Sequence, residues 1–166
     1  MTKPILQALV LADHIYQDKH SGKMVIAGTF NDVTIYRNEL KTYTREIPTE
    51  PGGTSRKHQV TEFPPEYVGD AGSPFVYTCL TGIHNSVDLE LRFVDLSNNK
   101  VLLQADLKVQ CDDPVRSVEV GIRLPTRLPT PHEGVYALEL LYEEEMLGSW
   151  RISAKIEDRT KSKEEQ

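Results

Sequence analysis

The sequence predicts an all-β protein, an antiparallel β-sandwich of about eight strands with one long Pro/Gly-rich insertion. Apolar and polar residues alternate strictly in several segments, and turn-forming residues separate those segments. Such alternation sends every second side chain of a strand to the core. Helical periodicity is nearly missing, and residues 62–69 are the one short helix candidate. Short alternating strands joined by turns are typical of a sandwich or a barrel, and we favour the sandwich.

The clearest alternation predicts a hairpin. In "SVDLELRFVDL" every second residue from Val87 to Phe93 is apolar and the residues between are charged. "SNN" then supplies a turn. The segment "KVLLQADLKVQC" resumes the same period, and its residues predicted to face inward are Val101, Leu103, Ala105, Leu107 and Val109.

Further strands follow from the same pattern. They are predicted at "PFVYTCLTGI", "SVEVGIRL", "GVYALELLY" and "LGSWRISAKIE", the last two as a closing hairpin. The run 23–36 is predicted as one more strand. The opening run 5–16 is so continuously apolar that we expect a central strand with both faces covered.

The segment 37–74 interrupts this rhythm. Five prolines and four glycines lie in it, so we expect an irregular insertion in a single domain covering residues 1–157. Insertions of this length are often functional. Residues 158–166 form a charged tail that we expect to be solvated.

Composition and charge exclude several classes of protein. With 166 residues, 39% of them hydrophobic, the chain is long enough to bury one core. The net charge of -6 opposes binding to nucleic acid. We find no apolar run of about 20 residues that would span a membrane and no convincing export signal. Two cysteines, Cys79 and Cys111, are too few for a disulfide-built secreted domain, so we expect free thiols in a cytoplasmic protein.

Four potential metal ligands lie close together in "LADHIYQDKHSGKMVIAGTF": Asp13, His14, Asp18 and His20. In a strand, Asp13 and His14 point to opposite faces, and the favoured interpretation is a turn in which Asp18 bonds local backbone and Gly22 takes positive φ. Two remaining ligands are fewer than a zinc or calcium site requires. Asp13 follows a buried run, so it is either tied to backbone amides or a basic side chain, or it is a functional acid.

No reaction motif is present. The sequence has no GxSxG, HExxH, GxGxxG or GxxxxGK[ST] segment, and the histidines are scattered. We therefore predict no catalytic residue, no metal site and no cofactor.

Two short motifs lie near the ends of the chain: Gly22 and Lys23 followed by the "IxGxF" strand of Ile26, Gly28 and Phe30, and "GxY" at Gly134 and Tyr136. In these motifs the chain resembles a bacterial family of uncharacterised proteins. The resemblance implies a β-sandwich of unknown function and carries over no catalytic residue.

Three hypotheses about function follow. The first is a non-enzymatic protein-interaction or assembly module that presents its loops to an unknown protein partner, with homo-oligomerisation possible. Its candidate partner-binding residues are Arg56, Lys57 and Tyr67 in the insertion and Arg123, Arg127 and Pro129 in the connection "RLPTRLPTPHEG". The prolines of this connection favour a stiff extended backbone, and its arginines suit an acidic partner. The second is a small-molecule or glycan-binding module, for which Tyr43, Tyr67 or Trp150 would have to meet in a groove. An enzyme of unrecognised type is the third.

Overall fold

The computed structural model describes residues 3–36, 42–47, 56–61, 74–124 and 128–157, with the backbone alone at 36, 42–47 and 56–61. These ranges contain strands and no helix, so within them no helix is long and apolar enough to cross a membrane. The prediction of an all-β protein is confirmed. The strands are β1 (Ile5–Gln17), β2 (Met24–Thr29), β3 (Asp32–Tyr36), β4 (Thr42–Ile47), β5 (Arg56–Thr61), β6 (Phe75–Thr81), β7 (Asn85–Asp95), β8 (Lys100–Cys111), β9 (Val118–Arg123), β10 (Gly134–Tyr142) and β11 (Glu145–Glu157).

Two sheets form the body of the molecule. One has four strands in the order β2-β1-β6-β9, and the other has five in the order β3-β11-β10-β7-β8. Among the described strands every pairing is antiparallel except one, because β3 runs parallel to β11. The expectation of a purely antiparallel arrangement is therefore wrong at this edge. The chain reaches β3 from the other sheet rather than through a hairpin, so nothing forces antiparallel pairing there.

Both sheets contribute to one hydrophobic core, which gives a sandwich-like arrangement. Leu11 and Val76 of the first sheet and Phe93, Leu138 and Ile152 of the second are completely or almost completely buried in the same cluster. The sheets also approach closely at one point, where a Cβ on Gly148 would lie 2.5 Å from Cδ2 of Leu6.

The first strand differs from its prediction. It lies between β2 and β6, but β6 pairs with residues 5–12 and β2 with residues 12–17. Each end of β1 therefore has a single neighbour. Ile5 and Tyr16 remain more than half exposed, while Leu11 and Ala12 in the middle are fully buried. The expectation that both faces are covered holds only for the middle of the strand.

The run 23–36 forms two strands in different sheets, where one was predicted. The chain changes sheets at Phe30 and Asn31: the Phe30 N–H donates to Leu11 O of β1 at 3.2 Å, and Asn31 O accepts from Ser153 N of β11 at 2.7 Å. Just before this crossing Gly28 has φ of 69°. The residues that contact the core change phase at this crossing, from Phe30 to Val33 and Ile35, and the sequence interpretation included this break in a single strand.

The two predicted hairpins are confirmed. Strands β7 and β8 pair along their whole length, and β10 pairs with β11. The turn between β10 and β11 has Glu143 and Glu144 at φ of 48° and 66°. Two successive residues with positive φ are the mark of a type I′ turn, which normally carries Asn-Gly.

The predicted irregular insertion, 37–74, contains a hairpin that the sequence interpretation did not include. Strands β4 and β5 pair antiparallel as a separate two-stranded sheet. Each fits between prolines, since residues 42–47 and 56–61 contain none. The helix candidate at 62–69 and the tail at 158–166 lie outside the described residues.

Candidate functional site

Strand β8 is the long outer edge of the five-stranded sheet. It runs from Lys100 to Cys111, twelve residues, and pairs with β7 on one side only among the described strands. We call its other side the β8 edge. The strands at the three other ends of the two larger sheets, β2, β3 and β9, have five or six residues. Long edge strands are unusual because natural sheets keep them short or covered to prevent pairing with other chains.

Position at the edge explains why the predicted core face of β8 is partly exposed. Val109 is buried, but Leu103 and Leu107 are half-buried, Ala105 is exposed and Val101 is 41% exposed. The facing residues of β7 are buried from Val87 to Phe93, because β7 has a strand on each side. Apolar side chains of β8 are thus available at the β8 edge.

Charges of both signs lie on the outer face of β8. Asp106 and Lys108 are exposed and stand directly opposite Glu90 and Asp88 of β7. Arg92 pairs with Glu90, its Nη2 lying 2.8 Å from Oε2, and this hydrogen bond raises the pKa of Arg92. Among the described residues neither Asp106 nor Lys108 forms an ion pair.

The surroundings of Asp106 are strongly acidic. A shallow depression of about 540 Å³ brings five carboxylates and one lysine around three leucines, namely Asp88, Leu89, Glu90, Asp106, Leu107, Lys108, Leu141, Glu143 and Glu144. Like charges on facing strands disfavour each other. A cation brought to the open side of Asp106 would therefore be stabilised.

A second polar cluster lies at the end of β7, where Asp95 contacts His132 from the connection before β10. Asp95, at the end of β7, is 1% exposed, and its Oδ1 accepts from Ser97 N at 2.9 Å and Ser97 Oγ at 2.7 Å. Its Oδ2 lies 2.7 Å from Nε2 of His132. The serine hydrogen bonds are the largest cause of the lowered pKa of Asp95, and His132 lowers it further. A buried carboxylate needs such donors.

Both ring nitrogens of His132 face acceptors. Nδ1 lies 2.9 Å from Glu133 O, and Nε2 faces the Asp95 carboxylate. The hydrogen bond to Glu133 O is the main cause of the raised pKa of His132, and the hydrogen bond to Asp95 adds to it. The raised pKa favours the protonated ring, in which both nitrogens donate hydrogen bonds.

Tyr136 and Ser97 complete this cluster as structural partners. The Tyr136 hydroxyl donates to His132 O at 2.6 Å, and its ring stacks on Phe93 with centroids 5.5 Å apart. Ser97 donates to the carboxylate and not to the imidazole. A nucleophilic serine requires contact with its base, and Ser97 makes no such contact with His132. The cluster is therefore structural: Asp95 joins the turn at Ser97 to His132 in the connection before β10. Sequence reasoning missed this cluster because Asp95 and His132 are far apart in the chain.

Of the six predicted partner-binding residues, the structure describes the side chains of Arg123 and Pro129 alone. Arg56 and Lys57 are on β5, where only the backbone is described, and Tyr67 and Arg127 lie outside the described residues. Arg123 is exposed at the end of β9.

The described part of the proline-bearing connection packs against the core. Pro129 is half-buried, and its neighbour Leu128, like Leu124 before the connection, is buried. The near-repeat "RLPTRLPT" thus supplies two core anchors.

The turn interpretation of the opening polar stretch is confirmed. Asp18 Oδ1 accepts from Ser21 N at 2.6 Å, Ser21 Oγ at 2.8 Å and His20 N at 3.1 Å. The bond from Ser21 N is the main cause of the lowered pKa of Asp18. Gly22 has φ of 69°, as predicted. The described residues contain no group of three or more potential metal ligands.

Asp13 is half-buried, and its carboxylate lies over Gly28. A Cβ on Gly28 would be 2.5 Å from Asp13 Oδ2. The side chain therefore occupies the space that a glycine leaves open on the neighbouring strand.

The aromatic groove expected of a ligand-binding module is not seen at Trp150. Its indole N–H donates to Phe30 O at 2.9 Å and its ring packs against the core. The side chains of Tyr43 and Tyr67 lie outside the described part of the chain. Both cysteines are free thiols, with Cys111 buried and Cys79 half-buried.

No protein-family model matches the chain, and no curated protein matches it.

Proposed function

We propose that the protein is a non-enzymatic interaction module that binds a protein partner along the β8 edge. The observation that carries this proposal is the twelve-residue edge strand, twice the length of β2 or β9, with half-buried leucines and an exposed valine. On its open side the backbone of β8 pairs with no described strand, and such an edge is the template that strand addition uses. An extended segment of a partner would extend the sheet there by main-chain hydrogen bonds.

Rigidity of the surrounding sheet supports this role. Strand β7 lies beside β8 and is itself paired on both sides, so the backbone of β8 is already held in strand conformation before a partner binds. A preformed edge lowers the entropic cost of binding. The proposed compartment is the cytoplasm of a bacterium, and the two free thiols support a reducing environment.

The proposal is tested with two neighbouring proline variants, Gln104→Pro and Ala105→Pro. Backbone N–H groups of a strand point alternately to either side, so one of these residues points its N–H at β7 and the other at the open edge. Proline is tolerated on an edge where the N–H faces outward. We expect one variant to lose stability and the other to fold normally.

The normally folded proline variant is then the probe. Affinity capture from the native cell, with quantitative mass spectrometry, compares it with the natural protein. We expect the folded variant to lose proteins that the natural chain retains. Equal capture by both would contradict binding at the β8 edge.

A further inference from the structure

We propose that the β8 edge binds a second copy of this chain, forming a symmetric dimer in which two β8 strands pair antiparallel about Leu107. This inference rests on the proposed function, because it names the occupant of the same edge. The dimer would join two five-stranded sheets into one continuous sheet. Such a twofold contact is the commonest way in which soluble chains associate.

Symmetry restricts the possible registers. Directly opposed residues on paired strands share a face of the sheet. Symmetric antiparallel pairing that keeps both cores on the same side must therefore place one residue opposite its own counterpart. The residue at the centre decides which side chains meet.

Charge distinguishes the candidate centres. Pairing centred on Asp106 places two aspartates opposite each other, and pairing centred on Lys108 opposes two lysines. Pairing centred on Leu107 places Asp106 of each copy opposite Lys108 of the other. Opposite charges on facing strands are favourable and like charges are unfavourable.

The inner face fits the same register. Leu107 meets Leu107 of the second copy, and Leu103, which is half-buried, meets the buried Cys111. Ala105, exposed in the single chain, meets Val109. Apolar side chains that the single chain leaves partly open would thus gain contacts with similar side chains.

The acidic surroundings supply the second argument. Asp106 stands beside Glu90, whose carboxylate is already bound to Arg92, in a depression lined by five carboxylates. Lys108 of the second copy would bring a cation to the open side of Asp106. Charged residues usually protect an edge from pairing, but here the two charges suit a strand of the same sequence.

The first test is the mass of the full chain in solution by sedimentation equilibrium. We expect twice the monomer mass of 18.8 kDa. Asp106→Lys is the main variant, because the new lysine faces Glu90 within its own chain and should not harm folding. In the dimer it faces Lys108, so we expect dissociation to increase on the order of tenfold or more.

The double variant Asp106→Lys with Lys108→Asp restores both cross-strand pairs with reversed sign. We expect it to recover the dimer, an outcome that a merely structural effect of either substitution would not produce. Asp32→Lys makes the same change of charge on β3, at the opposite edge of the sheet, and should leave the dimer intact.

Cross-linking checks the register directly. Under mild oxidation Leu107→Cys should form a disulfide between identical positions, since opposed Cβ atoms lie about 4.5 to 5.5 Å apart. Ala105→Cys, which would face Val109, should not cross-link to itself. Peptide mapping separates these products from any that involve the natural cysteines.

The outcomes separate this inference from the proposed function. A monomer at the highest soluble concentration, or a dimer unchanged by Asp106→Lys, overturns self-pairing. The proposed function would still stand if the folded proline variant lost its captured partners. A dimer that Asp106→Lys breaks and the double variant restores supports both.

Discussion

Gly28 and Gly22 form a natural matched pair, because both have φ of 69° but differ in their surroundings. A Cβ at Gly28 would lie 2.5 Å from Oδ2 and 3.1 Å from Cβ and Cγ of Asp13. A Cβ at Gly22 would meet nothing within 4 Å. Alanine at either position suffers the strain of the left-handed conformation, whereas only Gly28→Ala also displaces a neighbouring side chain.

The expected magnitudes follow from these two terms. Left-handed backbone costs a non-glycine residue about 1 to 2 kcal/mol, and the less flexible unfolded chain offsets about 0.4 to 1 kcal/mol of that cost. Gly22→Ala should therefore lower the free energy of unfolding by about 1 kcal/mol. Overpacking adds about 1 to 3 kcal/mol, so Gly28→Ala should lower it by about 2 to 4 kcal/mol.

Urea denaturation of both variants measures this difference, and Asp13→Ala combined with Gly28→Ala tests its cause. Asp13→Ala removes Oδ2, the atom nearest to the new Cβ. The double variant should therefore be more stable than the sum of the two single losses predicts, by about 1 kcal/mol or more. Equal losses for Gly22→Ala and Gly28→Ala, with no coupling to Asp13, would refute the close approach of Asp13 to Gly28.

Three further predictions concern the second sheet. Glu143→Asn with Glu144→Gly should raise the free energy of unfolding by about 1 to 2 kcal/mol, because asparagine and glycine suit positive φ. A double glutamine variant, which removes the charges but keeps the backbone strain, should gain less stability in the same urea titration. Phe93→Ala should lower the free energy of unfolding by about 3 to 5 kcal/mol, because it leaves a cavity in the core. Phe93→Leu should lower it much less, and similar losses for the two variants would contradict the tight packing of Phe93 against Tyr136. The raised pKa of His132 means that its contribution is complete below pH 6.5 and is lost as pH rises through the folded value. The lowered pKa of Asp95 means that its contribution is present above pH 3.8 and is lost as pH falls through the folded value. The urea midpoint should thus decline above pH 6.5 in the natural protein and less in His132→Ala, and parallel profiles would contradict this pairing.

Much of the fold was predictable because alternation is a local property of the chain. The pattern from Val87 to Phe93 has no other good explanation than a half-buried strand, and the turn chemistry of Asp18 and Gly22 depends on residues within a few positions of each other. Both were read correctly from the sequence. The hairpin in the insertion was missed because its strands are short and its prolines dominate the local signal.

The order of the strands within each sheet was decided only by the tertiary structure. The alternation of β8 is as regular as that of β7, yet β7 is interior and β8 is an edge, because strand order depends on contacts among segments distant in the chain. The same holds for Asp95 and His132, whose 2.7 Å contact joins two connections that no local pattern relates. The sequence by itself therefore determined which side chains of the two predicted hairpins point to the core side of their sheet, but not how deeply those of β8 are buried. The tertiary structure decided which strand was left open, and with it the surface on which the proposed function depends.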